Sequence, residues 1–159
     1  MTERGLVSSS HGFGGDLLDV NVWLALAIEE HPHHRTAAAY WDRHADTSRF
    51  FCRLSAMSLV RLLTHPKLMG DMPLPLAKSW ALYRSFAALP GVAMLTEPDG
   101  LDAELDALVT PRLAARLFTD AYFAALARKS RLRLVTFDKD FERFEQLPML
   151  RLAAGDRDK

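Results

Sequence analysis

The 159-residue chain predicts an α/β fold, with a parallel central sheet of four to five strands flanked by helices. Short apolar runs alternate with helical patterns from Leu17 to Leu152. Several of these runs end on or just before an acidic residue. Neither an internal repeat nor a linker divides the chain, so one domain is expected over residues 16–153. Residues 1–15 are rich in Ser and Gly and read as a flexible extension.

Leu17 to Val20 reads as a short buried strand that passes directly into a helix over Asn21 to Ile28. His31-Pro32-His33-His34 breaks the chain and starts a helix reaching Ala45. Arg49 to Leu54 is a second strand, and Ser55 caps a helix through Thr64. Gly70, Pro73 and Pro75 make Pro66 to Pro75 a loop. Ala77, Trp80, Ala81, Tyr83 and Phe86 recur at helical spacing over Leu76 to Leu89. Val92 to Leu95 is a third strand and Asp99 to Val109 an amphipathic helix. Thr119 caps a helix from Asp120 to Lys129, and Arg131 to Phe137 is the clearest strand. Phe141 to Phe144 is a short turn, and Met149 to Leu152 a last strand.

Composition excludes several classes. Hydrophobic residues make up 49% of the chain, too many for a disordered protein. Lys and Arg number 20 and so do Asp and Glu, so a nucleic-acid role has to rest on local patches. The single cysteine, Cys52, lies in an apolar run; it reads as a small buried hydrophobe and fits a reducing cytoplasm. The longest apolar stretch, Leu17 to Ile28, is too short and too interrupted to span a bilayer, and no secretory pattern opens the chain. P-loop, dinucleotide-glycine, zinc-ligand and nucleophile-elbow motifs are absent.

The residues able to do chemistry are acids at element junctions. In an open α/β sheet the carboxyl ends of the strands carry the functional groups. Asp19, after Leu17-Leu18, is either a helix N-cap or a metal ligand. Asp120 complements a helix dipole or joins a ligand set. Asp138, after Thr136-Phe137, is a turn residue or a ligand, and Asp140 shares its site or is solvated. Asn21 orients Asp19 or makes a turn. Carboxylates converging at one edge suit Mg²⁺ or Mn²⁺ and phosphodiester hydrolysis. His31, His33 and His34 read as an exposed cluster. Arg61, Arg112, Arg116, Arg131, Arg133 and Lys139 are substrate-contact candidates, and Arg112 and Arg116 are spaced to share a helical face near Asp120.

Four ordered segments carry a resemblance. They are Leu17-Leu18-Asp19-Val20-Asn21-Val22-Trp23, Arg61-Leu62-Leu63-Thr64-His65-Pro66, Phe118-Thr119-Asp120-Ala121-Tyr122 and Val135-Thr136-Phe137-Asp138-Lys139-Asp140-Phe141. Together they resemble the PIN-domain ribonucleases, most closely the VapC-type toxins of toxin–antitoxin pairs. The resemblance implies a Mg²⁺- or Mn²⁺-dependent endoribonuclease acting on RNA, a homodimer, and an antitoxin that occludes the site. It makes Asp19, Asp120 and Asp138 the acidic ligands, with Thr136 supporting them through its hydroxyl. One position departs. The family's second acid, a Glu early in the helix carrying Arg61-Leu62-Leu63-Thr64, corresponds to Ala56 here; similar members often carry Gln. The alternative is a PIN-like RNA- or antitoxin-binding module with weak or lost catalysis. A phosphoacceptor receiver domain would need an acidic pair after the first strand, but Leu18 and Val20 flank Asp19.

Overall fold

Five short parallel strands, β1 (Asp16–Leu18), β2 (Arg49–Phe51), β3 (Val92–Met94), β4 (Arg133–Thr136) and β5 (Met149–Arg151), form one sheet in the order β3-β2-β1-β4-β5. The computed structural model describes residues 12–70 and 72–153. The expected N-terminal extension falls outside these residues except for its last four. Among the described residues, seven α-helices connect and cover the strands: α1 (Val20–Ala27), α2 (His34–Arg43), α3 (Arg53–Leu63), α4 (Pro66–Met69), α5 (Leu76–Ala87), α6 (Leu101–Leu108) and α7 (Phe118–Ser130).

The middle residues of the inner strands, Leu17, Phe50 and Leu134 with Val135, are apolar because helices cover both sheet faces; charged residues sit at the strand ends. Leu17 and Leu134 face one layer, built on Leu101 of α6 and Phe123 and Leu126 of α7. Leu18, Phe51 and Val135 face the other, with Trp23 of α1, Leu59 of α3 and Tyr83 of α5. Trp23 stacks on Phe51 at a centroid distance of 3.7 Å.

The amino edge of the sheet is locked by charge. Asp16, 2% exposed, accepts two hydrogen bonds from the Arg133 guanidinium at 2.9 and 2.8 Å and one from the Tyr40 hydroxyl at 2.6 Å. Arg49, also buried, has no carboxylate partner among the described residues. It donates to the carbonyls of Trp41 and His44 at the end of α2 and lies over the Trp41 ring at 3.8 Å. There it complements the helix dipole.

Gly14 and Gly15 already belong to this edge. The Gly14 N–H donates to the Arg131 carbonyl, and the Gly15 carbonyl accepts from the Arg133 N–H. Gly15 has φ +149, and a Cβ there would sit 2.7 Å from the Ser48 carbonyl oxygen. Gly15→Ala is expected to cost about 3 kcal/mol, read as a lower urea midpoint at unchanged slope; an unchanged midpoint would contradict this packing.

Several local expectations need correction. β1 ends at Leu18, because Asp19 caps α1 and draws Val20 into the helix. The cap of α3 is Cys52 and not Ser55. Since β2 stops at Phe51, the helix begins at once, and Ser55 becomes the third helical residue of a reciprocal box. In it the Cys52 thiol accepts from the Ser55 N–H and Ser55 Oγ accepts from the Cys52 N–H. Cys52 is 1% exposed, as a small buried hydrophobe should be. Thr119 does not cap α7: a 3₁₀ turn, Ala115–Leu117, runs straight into the helix and supplies carbonyl partners instead. Part of the Pro66–Pro75 loop is helix α4, with Pro66 at its first position and His65 as its cap. β4 begins only at Arg133, because Arg131 takes a left-handed conformation, φ 54, to end α7.

Candidate metal centre

The carboxyl edge of the sheet collects the acids. Asp19 leaves β1 and does two structural jobs there. One oxygen accepts the Val20 N–H at 2.7 Å, and the other accepts the Thr136 hydroxyl at 2.7 Å. Thr136 closes β4 and is fully buried, and its oxygen also accepts the Asp138 N–H at 3.0 Å. Asn21 touches both sides of this junction. Its amide donates to Thr136 Oγ1 at 3.4 Å, and its carbonyl oxygen accepts the Phe137 N–H at 3.4 Å. Thr136 therefore joins the ends of β1 and β4 through three side chains.

Asp138 caps a second 3₁₀ turn, Lys139–Arg143, by accepting the Asp140 N–H at 2.8 Å. Asp120 enters from the first turn of α7. Asp120, Asp138 and Asp140 each place one carboxylate oxygen within 4.8 Å of the other two. Asp19 is outside that trio, but its carboxyl feels the charges of Asp120 and Asp138.

The electrostatics show what the arrangement lacks. Burial pushes the Asp19 carboxyl up to about 6; the Thr136 and Val20 hydrogen bonds oppose this, and the charges of Asp120 and Asp138 add to it. Burial also raises the Asp120 carboxyl, helped by Asp138 and Asp140 and opposed by Arg143 and Arg116. Arg116 Nη1 lies 3.3 Å from Asp140, and Arg143 Nη2 lies 3.5 Å from the same carboxylate. Two exposed guanidiniums thus pair with Asp140 and screen Asp120, while neither contacts Asp19 or Asp138. This all-oxygen donor set is of the kind that could hold a hard divalent cation, whose charge would relieve the repulsion.

Most of the remaining predicted residues lie away from the acids. Arg112 and Arg116 do not share a helical face: Arg112 is in a turn and Arg116 in the 3₁₀ segment before α7, because the helix starts only at Phe118. Arg133 and Arg131 are at the opposite, amino edge. Ala56 is fully buried in the core with Leu18 and Val22, so α3 contributes no carboxylate there. Glu97 is taken by the Tyr122 hydroxyl at 2.7 Å and, with Asp99, stands outside the trio. The histidines are half-buried, contrary to an exposed cluster. His33 stacks on Phe137 at 4.7 Å, and His34 Nδ1 lies 2.8 Å from the Ala25 carbonyl. Arg143 was not foreseen; its position three residues after Asp140 in a turn was the available signal.

A parallel sheet in this order, with acids from β1, α7 and the end of β4 meeting at one edge, defines a PIN domain. The PIN domain model matches residues 17–147. Ribonuclease VapC41 of Mycobacterium tuberculosis is 37% identical over 143 residues, covering 86% of this chain and 98% of its own. Among solved structures, VapBC2 from Rickettsia felis, bound to a promoter DNA fragment, shares the fold with a TM-score of 0.64 at 12% identity, over 87% of this chain and 98% of that one. VapC20 of Mycobacterium tuberculosis, a sarcin–ricin loop cleaving toxin, does so with a TM-score of 0.59 at 19% identity, over 80% and 92%. The chain belongs to the VapC ribonucleases of the PIN-domain family.

Proposed function

We propose that this protein is a Mg²⁺- or Mn²⁺-dependent endoribonuclease acting as the toxin of a type II toxin–antitoxin pair. The observation that carries the reading is the convergence of Asp19, Asp120, Asp138 and Asp140, with two carboxyls held above their ordinary range, in a chain 37% identical to a VapC ribonuclease. Asp19, Asp120 and Asp138 would hold the cation, with Asp140 beside them. When bound, it supplies Lewis acidity toward the scissile phosphate and a water activated for attack. The chain's own residues do the rest. Thr136 fixes the Asp19 carboxylate and the Asp138 backbone relative to each other, and Asn21 braces that junction. Arg116 and Arg143 neutralise Asp140 and offer positive charge to phosphate oxygens at the rim.

Partners follow the same reading: an RNA substrate, a cognate antitoxin that covers the acidic edge, and a second copy of the chain. The exposed Met57, Leu68, Leu76 and Trp80 of α3 to α5 support a homodimer. No described helix is long and apolar enough to cross a membrane, and an RNA substrate fits a cytoplasmic location.

Ala56 favours the alternative, a binding module with weak catalysis, because it removes one carboxylate from α3. The trio of Asp120, Asp138 and Asp140 does not depend on that position. Purified protein with Mn²⁺ is expected to cut structured RNA internally, and excess EDTA to stop it. Intact RNA, together with no divalent-metal binding by calorimetry, would overturn the proposal. Growth arrest that persists on expressing Asp19→Asn would select the binding module.

A further inference from the structure

A cleft of about 490 Å³ runs between the end of α6 and the segment after the second 3₁₀ turn, from Arg143, which reaches the acidic edge at Asp140, toward Arg128 in the last turn of α7. It is a shallow cleft open to solvent, as a surface that seats part of a strand has to be. Arg112, Arg128 and Arg143 line it against a single acid, Glu145, in a chain whose formal net charge is zero. The three arginines are not equivalent. Arg128 is paired with Glu104 at 2.8 Å and donates to the Glu145 carbonyl at 3.4 Å, so it builds the wall. Arg143 bridges two sites, reaching Asp140 while its side chain lines the cleft. The Arg112 guanidinium is exposed and makes no hydrogen bond or ion pair among the described residues. Leu108 and Leu113 give the cleft an apolar side.

Resting on the nuclease reading, we infer that this cleft is an RNA subsite: it seats a nucleotide flanking the scissile phosphate, with a backbone phosphate on Arg112 and Arg143 and the base against Leu108 and Leu113. An acidic edge repels a polyanion, so a strand held there needs positive charge on its flank. This cleft supplies it, and Arg143 makes it continuous with the acids. Phosphate contacts of this kind position a strand without reading its bases.

Arg112 tests the idea because it lies in an exposed turn and outside the acidic cluster. Binding is measured by fluorescence anisotropy in the full chain carrying Asp120→Asn, with a single-stranded oligoribonucleotide of about a dozen residues. Adding Arg112→Ala is expected to weaken binding about tenfold and to reduce the log–log salt slope by about 0.7. Arg112→Glu is expected to weaken it further, with no change in melting temperature. In the active chain with Mn²⁺, Arg112→Ala is expected to lower kcat/KM about tenfold on the long oligonucleotide and to leave a dinucleotide, which cannot reach the cleft, unaffected. Unchanged affinity and salt slope would overturn the subsite, as would equal losses on both substrates. If the parent chain cuts nothing, the nuclease reading fails by itself, and the anisotropy arm still decides the subsite.

Discussion

Asp19→Asn is expected to abolish RNA cleavage while raising the melting temperature of the metal-free protein. On the activity side, removing a ligand from a metal-assisted phosphoryl transfer removes several kcal/mol of transition-state stabilisation, a loss of about 10³-fold. The stability effect has the opposite sign. An unfolded Asp titrates near 3.8, and the folded Asp19 near about 6. The native state therefore binds this proton more tightly than the unfolded state does. The stability it confers is complete below about 3.8 and is lost as pH rises through about 6. At neutral pH the ionised, buried group costs about 3 kcal/mol, from a difference of roughly two pKa units at 1.36 kcal/mol each. Asn lacks that charge but gives a poorer acceptor to the Val20 N–H, an offset of about 1 kcal/mol. The net is a rise of about 5 °C near neutral pH. Thermal scans in EDTA from about pH 4 to about pH 7 should show the parent losing stability across that window more steeply than the variant. Parallel profiles would contradict the assigned Asp19 environment; retained cleavage would contradict its role. Mn²⁺ should stabilise the parent more than the variant.

At the other end of the same strand, the second large effect is purely structural. Asp16→Ala is expected to destabilise the fold by about 3–5 kcal/mol, because the mostly buried Arg133 guanidinium and the Tyr40 hydroxyl both lose their acceptor. Burial, the largest cause of the raised Tyr40 phenol, persists in the variant, so the ring does not take over as an anion. Urea unfolding reads the loss, and a change below about 1 kcal/mol would show the network to be dispensable. Asp16→Ala with Arg133→Met should recover much of it, since no buried charge is then left alone. Cleavage at low temperature should survive in Asp16→Ala, because three residues of strand put Asp16 about 10 Å from Asp19.

These two aspartates show what could be read from the chain and what could not. The apolar runs at Leu17, Phe50, Val92, Leu134 and Met149 announced a parallel sheet because both faces are buried, and all five strands formed. Asp19, Asp120 and Asp138 could be singled out because each sits at an element junction, although a helix dipole or a turn explained Asp120 and Asp138 equally well. Asp16 looked like a residue before a strand; its partners, Tyr40 and Arg133, are 24 and 117 residues away. Helix starts were misplaced where a neighbouring element ran straight in, as at Cys52 and Leu117, since propensity favours Ser and Thr whether or not the backbone has room to use them. Ala56 was read as a missing acid, and the fold puts Ala56 in the core.

The Thr136 junction has a consequence in time. The hydroxyl that holds Asp19 is 117 residues further along, on a strand that lies beside β1 in the middle of the sheet. Until the chain has been made past that strand, β1 is an open edge, Asp19 has lost its partner and Asp138 does not exist. A growing chain therefore carries no complete metal edge for most of its synthesis. Any truncation before Arg133 leaves an unpaired strand that invites association, without Thr136, Asp138 and Asp140.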